Sequence, residues 1–162
     1  MNPNLNRAFA ALAFAALTFA AGAANARDIP AGGMTVADVA AWLQAGGYQA
    51  QIVPDKNGGM AHIHSGVGGH GFGIYMFDCK GDRCGSLQFS AGYETHGTFD
   101  TGKMNAWNRD KRWARGYFDD VNDPWVEMDV DLSPGGTYEL LDDELATWAT
   151  MIKDFTEQYG LQ

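Results

Sequence analysis

Cysteine is scarce in this chain: two residues in 162, too few for a disulfide scaffold or a four-thiolate zinc site. Basic side chains are outnumbered too, with 11 Lys+Arg against 20 Asp+Glu and a net charge of -9. That balance argues against a phosphate-binding surface, and so against nucleic acid as a partner. Several catalytic signatures are missing: a Gly-x-Ser-x-Gly elbow, a phosphate loop ending in Gly-Lys-Ser/Thr, and a His-Glu-x-x-His helix. No acid–base pair is recognisable, so neither catalysis nor a cofactor is expected. The oxygen-rich stretch Asp119, Asp120, Asn122 and Asp123 lacks the alternating ligands, central glycine and distant glutamate of a calcium loop and reads as a turn. What is present is 46 % apolar residues, enough for a packed core, on a chain whose length suits one domain.

Residues 1–26 read as a secretory signal peptide. Arg7 precedes an Ala-rich apolar run holding Phe9, Leu12, Phe14, Leu17 and Phe19, and the run closes on Ala24-Asn25-Ala26, a small-x-small cleavage site. Arg27 rather than cysteine follows, which excludes a lipoprotein anchor. The expectation is a periplasmic or secreted protein, residues 27–162, that keeps no membrane span after cleavage. Cys79 and Cys84 then lie in an oxidising compartment at the two ends of a turn, Lys80-Gly81-Asp82-Arg83, and are expected to form a disulfide. A redox pair would have two intervening residues at a helix start rather than four in a turn.

Along the remaining chain, Thr35 and Asp38 resemble a capping arrangement ahead of Val36, Val39, Ala40 and Leu43 at helical spacing, with Gly46-Gly47 as the stop. Strands are expected over residues 48–53, 60–65, 72–78 and 86–93, with a flexible glycine-rich connector over 66–71. The third of these strands is apolar on both faces, which places it mid-sheet. A second helix over 99–108, strands over 113–119 and 126–132, and a last helix capped by Thr137 complete the chain. Leu141, Leu145, Trp148, Ile152, Phe155 and Tyr159 make one apolar stripe of that helix. The order helix, strands, helix, two strands, helix, without internal repeat or linker, is that of an α+β domain with a mostly antiparallel sheet and packed helices.

The residues also resemble a known family. Ala41-Trp42-Leu43-Gln44 with Gly47-Tyr48, then Ser86-Leu87-Gln88-Phe89-Ser90-Ala91-Gly92, Trp107-Asn108-Arg109-Asp110-Lys111-Arg112 and Glu127-Met128-Asp129-Val130-Asp131-Leu132 look like the marks of the YbjN family. That family is described as bacterial sensory transduction regulators, and its fold is similar to that of type III secretion chaperones, small acidic dimers that hold polypeptides. The resemblance implies a non-catalytic regulatory or chaperone-like module, with a protein or peptide partner and a homodimer as its expected associations, and it carries no catalytic residues.

Two sets of side chains are candidate sites. His62 and His64 stand two apart on a strand and so share a face; with His70, or His96, they would offer a zinc or copper seat, and a periplasmic metal- or small-ligand-binding protein is the alternative reading. The other set is segregated charge. Arg109, Lys111, Arg112 and Arg115 precede Glu127, Asp129 and Asp131 on the outward positions of the next strand, where they can meet across a hairpin or dock a partner. Trp107, Trp113 and Trp125 lie nearby; all three suit the core, and Trp107 joins the partner-binding candidates as an aromatic anchor.

Overall fold

A computed structural model describes residues 26–95 and 99–161. The signal-peptide reading of residues 1–26 falls almost entirely outside the described residues, and so does His96. The chain builds α1 (Val36–Ala45), β1 (Gln51–Val53), β2 (His62–Val67), β3 (His70–Lys80), β4 (Arg83–Gly92), α2 (Thr101–Asp110), β5 (Arg115–Phe118), β6 (Pro124–Asp131) and α3 (Tyr138–Tyr159). All strands join one antiparallel sheet in the order β1-β2-β3-β4-β6-β5, so the fold is α+β as expected. Among the described residues no helix is long and apolar enough to cross a membrane.

Local chemistry explains the helix ends. The Thr35 hydroxyl accepts the Asp38 N–H at 3.0 Å while the Asp38 carboxylate accepts the Thr35 N–H at 3.0 Å, satisfying two donors that α1 cannot pair internally. Thr137 does half of this for α3, accepting from the Leu140 N–H. α2 starts two residues later than its apolar pattern predicts, because the Asp100 carboxylate accepts from the Gly102 N–H and forms the cap. Phe99 thereby stays outside the helix and stacks on Phe118.

The glycine-rich stretch 66–71 is not a loose connector. Gly68 and Gly69 both have positive φ, 60° and 88°, and form a two-residue turn, so β2 and β3 continue to Val67 and from His70. Such turns follow the right-handed twist of the strands they join, and glycine accepts that backbone without a Cβ clash. The next hairpin likewise turns at Gly81-Asp82, with Lys80 opposite Arg83 and the Cys79–Cys84 disulfide bridging the preceding pair.

One face of the sheet carries the core. Ile63, Ile74, Leu87, Phe89, Val126 and Met128 are buried beneath the helices. The stripe of α3 lies against them: the Trp148 ring stacks on Phe89 and meets Phe72 edge-on. Trp107 of α2 meets Phe155 edge-on, and Trp42 of α1 donates its Nε1–H to Asp142 of α3 at 2.7 Å. The helices gather on this side, and among the described residues no helix covers the opposite face of the sheet, called the bare face below.

Candidate functional site

Alternation along the strands sets what the bare face presents. Starting from β2, it carries His62 and His64, then Tyr75 and Phe77 of β3, Ser86, Gln88 and Ser90 of β4, Trp125, Glu127, Asp129 and Asp131 of β6, and Arg115 and Tyr117 of β5. Phe77 is 48 % and Tyr117 37 % exposed, values that large rings do not reach inside a core. Two rings lie flat on the sheet because glycine sits beneath them. A Cβ on Gly73 would stand 2.8 Å from the Tyr75 ring, and one on Gly92 only 2.4 Å from the Trp125 ring. The result is a shallow trough of about 310 Å³ with a glycine and serine floor, His64 and Tyr75 on one side and Trp125 on the other.

Glu127 anchors one flank. It pairs across the hairpin with Arg115, whose Nη2 donates at 2.7 Å, and accepts the Tyr117 hydroxyl at 2.9 Å. Although it occupies an outward position, Glu127 is buried, because Arg115 and Tyr117 fold over it. Burial first, and then the carboxylate beside it, pushes the Tyr117 hydroxyl up to about 12. Asp129 and Asp131 remain exposed, Asp129 accepting from the Gln88 amide at 2.8 Å. The neighbouring turn supports the face as well. Asp119 accepts from the N–H groups of Val121 and Asp123 and from the Trp125 Nε1–H, which fixes that ring. The Asp123 N–H first, and the Trp125 donor less strongly, hold the Asp119 carboxyl below the usual carboxylate range.

Three of the basic candidates, Lys111, Arg112 and Arg115, line one hollow of about 310 Å³ together with Trp113, Glu127 and Asp129, and each basic group also has a partner of its own. Trp107 is buried and cannot touch a partner; its Nε1–H donates to the Ala114 carbonyl at 3.1 Å. Lys111 reaches Asp154 of α3 at 2.6 Å and lies over the Trp107 ring. Arg109 forks onto its neighbour Asp110, and Arg112 covers the ring of Trp113. Trp113 itself, expected in the core, is 53 % exposed. Thus the Trp-Asn-x-x-Lys-Arg run holds α2 against β5 and α3, and Arg115 stands on a strand of the bare face while Lys111 and Arg112 border the hollow it shares with Glu127 and Asp129.

The histidines separate also. Odd offsets in the β2–β3 register put His70, opposite Val67, on the face of Ile63 and Ile74, away from His62 and His64. Among the described residues no group of three His, Cys, Asp or Glu side chains is placed to hold a metal ion. What sequence reasoning missed is the trough, whose signal was glycine at alternate strand positions, Gly71 and Gly73, the second facing Ser90 across the ladder.

No curated protein matches this chain. A family model does, over residues 35–160: YbjN, described as "Putative bacterial sensory transduction regulator". That span takes in all three helices, the whole sheet and every residue of the bare face, and the chain belongs to the YbjN family.

Proposed function

We propose that this protein is an exported, non-catalytic regulatory domain that grips a basic, partly apolar polypeptide segment on the bare face of its sheet. The observation that carries the reading is the composition of that face. Exposed rings of Phe77 and Tyr117 accompany Asp129, Asp131 and the arginine-paired Glu127, while Asp78 joins them through the Ser86 hydroxyl at 2.8 Å. Aromatic surface beside carboxylates suits lysine or arginine side chains, which bring both an apolar stem and a charge. Two copies meeting by this face would set carboxylate against carboxylate, so a homodimer would use another surface. The regulator description of the family agrees with a binding role, and the Cys79–Cys84 disulfide suits an oxidising compartment.

A photo-crosslinking residue placed at Phe77 in cells producing the protein at native level tests the reading. It should capture a recurrent polypeptide, and Asp129→Lys with Asp131→Lys should abolish capture. Capture that survives the charge reversal, or that occurs equally from exposed Leu140 on the helical side, would overturn it. Export is tested separately by fractionation and by the N-terminal residue of the recovered protein, expected to be Arg27.

A further inference from the structure

His62 and His64 lie at one margin of the bare face, on a strand flanked by β1 and β3. Their Nε2 atoms are 3.1 Å apart. The rings stand with centroids 4.9 Å apart and planes at 56°, closer than two imidazoles meeting end to end at that nitrogen separation. The ring axes are therefore bent off the line between the nitrogens, as two ligands of one ion require. His62 is steadied from the neighbouring strand by Tyr75, whose ring stacks on it at 5.0 Å and 14°. Metal–nitrogen bonds of about 2.0–2.1 Å, drawn from two nitrogens at this spacing, meet at roughly 98°. That angle lies between the square-planar and tetrahedral values.

We infer that His62 and His64 form a two-nitrogen chelate for a divalent transition ion, with Cu²⁺ bound most tightly. Imidazole nitrogens suit copper, near-right angles suit its tetragonal geometry, and Cu²⁺ heads the affinity order of its row. The ion takes the place of the hydrogen bond between the two Nε2 atoms, and each ring then carries its single proton on Nδ1. Among the described residues no third side chain closes the site, so water or a donor from a bound molecule fills the remaining positions and the ion exchanges readily. Tyr75 plays the positioning part. His70 plays none, since it projects from the other face.

Titration of CuCl₂ into tag-free protein, followed by calorimetry and electron paramagnetic resonance, decides the matter. One ion per chain is expected, with an axial spectrum split by two nitrogens. His64→Ala and His62→Ala should each weaken binding by at least about tenfold, while His70→Ala changes it by less than about twofold. Because His64 is exposed, its variant folds normally, and an unchanged urea midpoint checks this. Affinity unaltered in His64→Ala, a spectrum without nitrogen splitting, or no binding at all would each overturn the assignment.

Discussion

The side-chain amide of Asn108 clasps the backbone of Gly116: its Nδ2 donates to the Gly116 carbonyl at 2.9 Å and its Oδ1 accepts the Gly116 N–H at 2.8 Å. The amide thereby occupies the place of a residue on a further strand. Next to it, the Ala114 carbonyl is taken by the Trp107 indole. Strand β5 lies at an edge of the sheet, and this pairing closes it to strand addition. Asn108→Ala should leave two buried backbone groups without partners and cost about 1–3 kcal/mol. Chemical denaturation measures the loss, and light scattering should show concentration-dependent association through the opened edge. A variant as stable and as monodisperse as the parent would refute this account.

Reduction of the Cys79–Cys84 bond should lower stability modestly. The bond joins residues five apart, and closing so short a loop removes little freedom from the unfolded chain, about 2 kcal/mol in the chain-entropy account. The denaturation midpoint should fall on adding reductant while the folded far-ultraviolet spectrum persists. Complete unfolding on reduction would show that the hairpin depends on its bridge.

Alkaline titration should distinguish the tyrosines. Burial pushes Tyr93 up to about 12, and burial with the Glu127 contact does the same to Tyr117. In the unfolded chain both would ionise near 10.0. Between those values the unfolded state releases protons that the folded state retains, so stability falls as pH rises. Phenolate absorbance should show late-ionising groups, one of which disappears in Tyr117→Phe.

The acid side has the opposite sign. The Thr35 N–H, more than the Arg83 charge, holds the Asp38 carboxyl below its ordinary value of 3.8. Its contribution is present above that value and is lost as pH falls through the lower folded one. Asp38→Ala should therefore flatten the acid limb of the stability profile and shorten α1. An acid limb of unchanged slope in the variant would assign it to other carboxylates.

Glu127 and Arg115 should be coupled. The guanidinium is 65 % exposed but the carboxylate side chain only 10 %, so screening limits the pair to about 1 kcal/mol in a double-mutant cycle. Zero coupling would mean that Tyr117 alone shelters the carboxylate.

Elements whose signals lie within a few residues were legible in the chain. Thr35 with Asp38, the stripe from Leu141 to Tyr159, and the two-sided apolar pattern of β3 depend on neighbours three, four or two positions away, and each appears where periodicity places it. Strand ends were less legible: β2 and β3 extend into the glycine stretch because a two-residue turn supplies partners to residues that look like linker.

Local order along the polypeptide thus determined the α+β class, the helices and the acidic alternation of β6. Tertiary structure alone decided that Glu127 is covered while Asp129 is open, that Trp107 enters the core while Trp113 leaves it, and that His70 parts from His62 and His64. The reason is physical: helix periodicity and caps are short-range, whereas the face a strand residue takes, and what folds over it, follow from turn length and from strands paired across distant segments.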